Sequence, residues 1–402
     1  MPVNLPPLPD LLPVAGIRCA AVAAGVRKPG RRDLVLFELA TGATVAAMFT
    51  RNRFRAAPVQ VAERHLAAAA PRYLLINTGN ANAGTGAGGL TSALACCAAA
   101  AEIGGVATEA VLPFSTGVIG EPLPAERIVA GLPAAFAALA ENGWNDAAHG
   151  IMTTDTGPKG ACVQGAPWVL TGISKGAGMI RPDMATMLAF LATNAAIAQP
   201  ALDQLLREAV EHSFNRITVD GDTSTNDAVT LVATGAAGGE PISDPDGPEG
   251  RAFGTALTAL CIDLAHAIVR DGEGATRFVT VRIEGAKTTQ EALAVAYSIA
   301  HSPLVKTALF AGDPNWGRLL AAIGRAGIDD LDVTGVSLFL DDVCIAVEGG
   351  VAPGYKEADG ARVMAQPEIL IRADLGRGDV TETVWTTDLS YDYVKINAEY
   401  RS

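Results

Sequence analysis

Histidine is scarce in this chain, charge is sparse, and the cysteines lack any paired spacing. The five histidines are scattered and form no ligand cluster. Cys19, Cys96, Cys97, Cys162, Cys261 and Cys344 show no CxxC pattern, so neither disulfides, a structural zinc nor any other metal is expected. Charged residues make up 18% of the chain and the net charge is −13, which disfavours nonspecific binding to nucleic acid or to anionic membranes. A small molecule is the better default partner. The N-terminus, MPVNLPPLPDLLPVAG, has no basic start followed by an apolar core, and Asp10 among the early prolines argues against a signal or transit peptide. The nearly apolar stretch from Ile128 to Ala140, taken as the longest, is too short to span a bilayer and contains Pro133. These absences lead to the expectation of a soluble, cytoplasmic protein. Tandem repeats are also lacking, as is a nucleotide loop of the Walker or Rossmann type, although coenzyme A does not require one.

Apolar residues, by contrast, are plentiful at 49%, which excludes general disorder. With 402 residues the chain can bury a large core and is expected to form more than one domain or lobe. The organisation reads as mixed α/β. Strand-like runs at Leu34 to Phe37, Tyr73 to Ile76 and Phe278 to Ile283 alternate with helical stretches. Helices are clearest at Leu202 to His212, where Leu202, Leu205, Leu206, Ala209 and Val210 share one face, and at Ala252 to Val269. The segment GEPISDPDGPEG, Gly239 to Gly250, reads as an exposed loop. The alanine-rich region between Ala67 and Ala101 resembles low complexity, but leucines and Ile76 punctuate it as in packed elements.

The stretch KGAGMIRPDMATMLAFLATN, Lys175 to Asn194, carries the chemistry. Thr186 follows the small residue Ala185 and precedes an apolar run, Met187 to Leu191, that reads as a buried strand or helix start. No histidine neighbours it in sequence, and Asp183 alone is a weak base. If the bond between Ala185 and Thr186 is cut, Thr186 gains an α-amine whose reference pKa is roughly 7.7 to 8, so that amine can take the proton of its own hydroxyl. One residue then supplies both nucleophile and base. The bland alternative is a hydroxyl satisfied by backbone at a strand start.

Nine strings in order along the chain resemble the ornithine acetyltransferase family, also called the bifunctional glutamate N-acetyltransferase family. They are NTGNANAGTG from Asn77, STGVIG from Ser115, IMTTDTGPK from Ile151, KGAGMIRPDMATMLAF from Lys175, SFNRITVDGDTSTND from Ser213, DGEGATR from Asp271, HSPLVKT from His301, GDPNWGR from Gly312, and the C-terminal DLSYDYVKINAEYRS. Gly84 departs from the cysteine common in the family, and Arg181 and Asp183 lie in a variable part of the Thr186 loop.

The resemblance implies an ornithine acetyltransferase or DmpA-like fold of two lobes, self-cleaved into residues 1–185 and 186–402, with two copies of each chain in a heterotetramer. It makes Thr186 the nucleophile, and Thr116 and Gly117 the oxyanion hole. Without it, STGVIG would be a tight turn whose glycine lets N–H groups approach a reacting oxygen. It places Lys175, otherwise an ordinary solvated lysine, against a substrate carboxylate. Substrate contact falls to Thr153, with Thr154 as the alternative; either would otherwise be a turn or cap residue. Glu273, by default part of a turn after a helix, would receive the amino group of ornithine. Asn397 and Ser402 would complete the pocket, where a frayed tail is the ordinary expectation. The implied reaction moves the acetyl group of N-acetylornithine to glutamate by double displacement in cyclic arginine biosynthesis, with no cofactor and with acetyl-coenzyme A as a possible second donor. The competing readings are an N-terminal-nucleophile aminopeptidase or amidase that hands the acyl group to water, and a silent binding protein that keeps the fold.

Overall fold

The computed structural model describes residues 2–27, 30–181 and 187–399. Its chain is mixed α/β and divides into two compact units. The larger consists of Pro6–Asn215 and Asp222–Ile268; the smaller of Met1–Leu5, Arg216–Gly221 and Val269–Ser402.

The larger unit contains strands β1 (Ile17–Val22), β2 (Leu34–Leu39), β3 (Thr44–Phe49), β4 (Tyr73–Asn80), β5 (Val111–Val118), β6 (Lys159–Gln164), β7 (Val169–Lys175), β8 (Leu188–Thr193) and β9 (Ala228–Ala233). Its main helices are α1 (Ala57–Ala68), α2 (Gly86–Gly104), α3 (Ala125–Ala137), α4 (Trp144–Gly150), α5 (Gln199–Glu211) and α6 (Pro248–Arg270), the last running on into the smaller unit. One sheet has the order β1-β2-β4-β5 and the other β3-β9-β8-β7-β6. Strands β8 and β9 are buried at every position, which explains why they read as continuous apolar runs rather than alternating ones. A core of Phe37, Ile76 and Phe114 from the first sheet and Ile173, Phe190 and Val232 from the second fills the space between them. Phe37 stacks on Phe190 with ring centroids 5.6 Å apart, and Phe114 meets the same ring edge-on at 5.1 Å. Beyond the first sheet, Cys97 and Ala100 of α2 and Ile128 and Leu132 of α3 pack on Leu36 and Leu75. Beyond the second, α6 lies so close that a Cβ on Gly172 would stand 3.0 Å from Leu260 and 3.2 Å from Leu264. The result is a four-layer stack of helices, sheet, sheet and helices.

The smaller unit contains β10 (Phe278–Ala286), β11 (Ser337–Leu340), β12 (Val343–Val347), β13 (Gly350–Val351), β14 (Glu368–Asp374) and β15 (Val380–Thr387), in the order β13-β12-β11-β14-β10-β15. Its helices are α7 (Thr289–Ala300), α8 (Pro303–Ala311), α9 (Trp316–Gly324), α10 (Glu357–Met364) and α11 (Tyr391–Ala398). Val295, Ile299, Leu309 and Ile323 cover Val279, Val281, Ile369 and Ile371 of the sheet. Thr288, Ser302, Asn315 and Ser390 cap α7, α8, α9 and α11 by accepting a backbone N–H of the first turn.

Three sequence expectations need correction. The apolar stretch 128–140 is not the longest: among the described residues, α2 and α6 are each long and apolar enough to cross a bilayer. Both helices pack one face on the sheets of the larger unit, and α2 agrees with the reading of the alanine-rich region as packed elements. The segment 239–250 is not all exposed loop, because Ile242 is buried and pairs with Ile197 in a parallel bridge, while Pro248 opens α6. STGVIG is not a turn. Its first four residues end β5, parallel to β4, with Thr78 opposite Thr116 and Gly79 opposite Gly117.

Candidate active site

Thr116 and Gly117 lie where β5 leaves its sheet. The pairing with β4 slips at Asn80, and Gly117 adopts φ +137°, a conformation L side chains rarely take. A Cβ there would stand 2.2 Å from the carbonyl carbon of Gly79, so only glycine permits this approach of the two strands. Polar side chains hold the strand ends in place. Ser115 Oγ donates to Asn77 Oδ1 at 2.6 Å, and Asn77 Nδ2 donates to the Asn80 carbonyl at 2.9 Å. Asn226, just before β9, donates to the carbonyls of Ala81 and Ser115 at 2.6 and 2.9 Å, tying the second sheet to the oxyanion-hole candidates.

Lys175 is the last residue of β7 and is half-buried. Its Nζ donates to Thr153 Oγ1 at 3.5 Å, and Thr153 donates its N–H to Asp155 Oδ2 at 2.8 Å. Lys175 thus lies beside Thr153, the favoured threonine of TTDT. Asp155 is the hub: Oδ1 accepts from Lys159 Nζ at 2.6 Å and from the Gly176 N–H at 2.7 Å. Burial works to raise the Asp155 carboxyl, but Lys159, Lys175 and the Gly176 N–H outweigh it and hold it well below the usual carboxylate range. A carboxylate that stays charged in the interior fixes both lysines and the start of the loop after β7.

Asp227 was not singled out by the sequence. It is 3% exposed, and its Oδ2 has no hydrogen-bond partner. Burial pushes this carboxyl well above its ordinary range, against Ser224 and the Lys175 charge. Its signal in the sequence was faint: an acid inside STND, immediately before an apolar run, is a buried-strand acid only once β9 is placed. Lys159 was equally hidden, because its role depends on burial at the start of β6.

Thr186 and Ala185 lie outside the described residues, as does Ser402. On the far side of the 182–186 segment, Met187 is buried and its carbonyl accepts the Ala228 N–H at 3.1 Å.

Glu273 and Asn397 belong to the smaller unit, whereas Thr116, Gly117, Thr153 and Lys175 belong to the larger. Glu273 follows α6 in a turn, as expected, and Asn397 is on α11. Asn397 Nδ2 donates to Glu273 Oε2 at 2.8 Å, so the two residues assigned to one pocket meet. Their backbone supports converge as well. Asp388 accepts the Thr276 N–H at 2.8 Å and the Thr276 hydroxyl, and Ser390 Oγ donates to the Gly274 carbonyl at 2.6 Å. Buried Lys306 donates to Thr386 Oγ1 at 3.0 Å and to the Thr387 carbonyl. Burial lowers Lys306 to about 8, with Asp388 and Asp220 pulling the other way. Among the described residues no group of three or more His, Cys, Asp or Glu side chains could hold a metal.

The larger unit therefore offers an ammonium and a hydroxyl side by side, backbone N–H groups at a glycine strand end, and a buried carboxyl with an open valence. The smaller offers a carboxylate suited to an amine. The ArgJ family model matches residues 18–402. The arginine biosynthesis bifunctional protein ArgJ of Pseudomonas fluorescens (strain Pf0-1) is 56% identical over 406 aligned positions, covering 100% of both chains. Among solved structures, the arginine biosynthesis bifunctional protein of Bacillus halodurans is 39% identical, with 52% of this chain and 96% of that one covered and a TM-score of 0.49. The ornithine acetyltransferase of Mycobacterium tuberculosis, solved with ornithine, is 36% identical, with 44% of this chain and 98% of that one covered and a TM-score of 0.42.

Proposed function

Because this chain belongs to the ArgJ family, we propose that it is a self-cleaving acetyltransferase that moves the acetyl group of N-acetylornithine to glutamate in arginine biosynthesis. The observation that carries this reading is the end-to-end match at 56% identity to an arginine biosynthesis bifunctional protein. The Thr153–Lys175 and Glu273–Asn397 contacts support the assignment of those residues to substrate.

Maturation begins with Thr186 Oγ attacking the carbonyl carbon of Ala185. The peptide C–N bond breaks, the acyl group moves to oxygen, and the freed nitrogen becomes the α-amine of Thr186. Water resolves the ester, giving chains 1–185 and 186–402. In turnover the α-amine takes the Thr186 hydroxyl proton as Oγ attacks the acetyl carbonyl of N-acetylornithine. The Thr116 hydroxyl and the Gly117 N–H receive the developing oxyanion; one such donor supplies roughly 3 kcal/mol of transition-state stabilisation. The amide C–N bond breaks, ornithine leaves with the proton, and Thr186 carries the acetyl ester. The glutamate amine then attacks that ester, the bond from the acyl carbon to Oγ breaks, the amine's proton returns to Oγ, and N-acetylglutamate departs. Lys175 pairs with a substrate carboxylate, and Glu273, with Asn397 and Ser402, receives an amine. Acetyl-coenzyme A as a second donor, a heterotetramer of two copies of each chain, and a cytoplasmic location complete the proposal.

Initial rates measured at several fixed glutamate concentrations against N-acetylornithine test it. Parallel double-reciprocal lines, with labelled ornithine exchanging into N-acetylornithine in the absence of glutamate, are expected of a shared acyl-enzyme. Acetate release at one rate with or without glutamate marks a hydrolase of the aminopeptidase kind, in which no positioned amine outcompetes water.

A further inference from the structure

We propose that Ser390 is a positioning residue: its single hydroxyl sets Glu273 against Asn397, and through that pair the affinity for an acyl donor that keeps a free amine. The inference deepens the reading above and rests on the assignment of Glu273 to the ornithine amine.

Helix α11, which carries Asn397, lacks what usually seats a helix. Its eight residues include no buried side chain. A helix that short is marginal in water unless one face packs, so its place depends on individual ties. The Tyr393 hydroxyl donates to Asp220 Oδ2 at 3.2 Å, and the Tyr391 ring meets Phe310 edge-on with centroids 5.6 Å apart. Two further ties run to the turn that bears Glu273.

Ser390 makes the first of them. Buried at the N-cap, its Oγ accepts the Tyr393 N–H at 3.4 Å and donates to the Gly274 carbonyl at 2.6 Å. A hydroxyl can serve both because it has one hydrogen to give and lone pairs to accept with. The same atom therefore opens the helix and grips the residue after Glu273. The approach is close: a Cβ on Gly274, at φ +69°, would stand 2.4 Å from the Tyr393 nitrogen and 2.7 Å from Ser390 Oγ. Asp388 holds the next residues by accepting the Thr276 and Arg277 N–H groups at 2.8 and 3.1 Å, so the far end of the turn is fixed as well. The second tie is the bond from Asn397 Nδ2 to Glu273 Oε2 at 2.8 Å. It lies about two turns further along α11, roughly 10 Å from the cap, so its length follows from where Ser390 seats the helix.

The chemistry of the donor says what this spacing controls. In N-acetylornithine the nitrogen that bears the acetyl group is an uncharged amide, and the other is an ammonium that a carboxylate can hold by a charge-assisted hydrogen bond. That ammonium takes no part in bond making, so its contact is the same before and during acetyl transfer and shows in KM rather than kcat. Glutamate has only the amine that attacks. The Glu273 contact is absent from its half-reaction.

Ser390→Ala removes both bonds with little change in volume. It should raise the KM for N-acetylornithine about fivefold or more, with kcat and the KM for glutamate within about twofold of wild type. Ser390→Asp separates capping from positioning, since a carboxylate still accepts the Tyr393 N–H but cannot donate to Gly274; it should show the same rise, and it carries the test if Ser390→Ala does not fold. A double-mutant cycle with Glu273→Gln decides the route: a residue that acts through Glu273 adds nothing to KM once Glu273 is neutral. An unchanged KM in Ser390→Ala, an equal rise in both backgrounds, or a matching rise in the glutamate KM would make Ser390 a helix cap alone and overturn the proposal. If Glu273→Gln itself keeps the wild-type KM for N-acetylornithine, the assignment of Glu273 falls first and the proposal with it.

Discussion

Asp155 and Asp227 are both buried near Lys175, yet their carboxyl groups are displaced in opposite directions: Lys159, Lys175 and the Gly176 N–H outweigh burial at Asp155, whereas burial outweighs Ser224 and Lys175 at Asp227. Asp155 and Lys159 form an ion pair at 2.6 Å with neither side chain exposed. Removing one member of such a pair leaves an uncompensated charge, so Asp155→Asn should cost about 3 to 5 kcal/mol in urea unfolding at pH 7. The double variant Asp155→Asn with Lys159→Met should recover part of that loss. The pH dependence follows from the depressed titration of Asp155. In the unfolded chain its pKa is about 3.9, so the unfolded state binds more protons below that value, and the stabilisation present above it fades as the solution is acidified further. The gap between wild type and Asp155→Asn should therefore narrow between about pH 4 and pH 2. A gap unchanged at low pH would mean that Asp155 acts through packing alone.

The strand pair β4 and β5 shows how far an element was legible and where legibility stopped. Tyr73 to Ile76 reads as a strand because its apolar residues are contiguous, but the strand runs on to Asn80 through the polar NTGN, where no apolar pattern marks it. STGVIG misleads in the same way. Both strings stay extended because they pair with each other over a long sequence separation, and no local pattern reports such pairing. The placement of Lys159 and Asp227 was hidden for a related reason, since burial of a charged residue is set by tertiary packing. Lys175, Thr153 and Glu273 were legible only through resemblance; the Lys175–Thr153 and Glu273–Asn397 contacts came from the fold. The tight approach at Gly117 gives the element a sharp test. Gly117→Ala forces a Cβ against the Gly79 backbone at positive φ, so it should destabilise by about 2 to 3 kcal/mol and slow acetyl transfer further than that loss of stability explains. Wild-type melting temperature and wild-type rate together would remove the strand-end geometry from the mechanism.

At the scale of the whole molecule, the proposed cut does not follow the seam between the compact units. The larger unit draws on both sides of it: β3, β7 and β6 come from residues before 186, while β8 and β9 come after. In the order β3-β9-β8-β7-β6, the two strands of the later segment lie between strands of the earlier one. Each is hydrogen-bonded to it, β9 to β3 and β8 to β7. Purified enzyme should accordingly give two bands, 1–185 and 186–402, on a denaturing gel and one species in native size exclusion, while Thr186→Ala gives a single band on both. Dissociation of the two chains without denaturant would contradict this shared sheet. The interleaving also changes the reaction order of folding. An uncut chain refolds by a first-order process, since its ends are tethered, whereas the same strands after cleavage must find one another by collision. Refolding yield of the mature enzyme should therefore fall on dilution more steeply than that of the Thr186→Ala chain. The bond before residue 186 holds the sheet's parts at a fixed effective concentration during assembly, and its loss in the proposed cut would make unfolding hard to reverse in dilute solution.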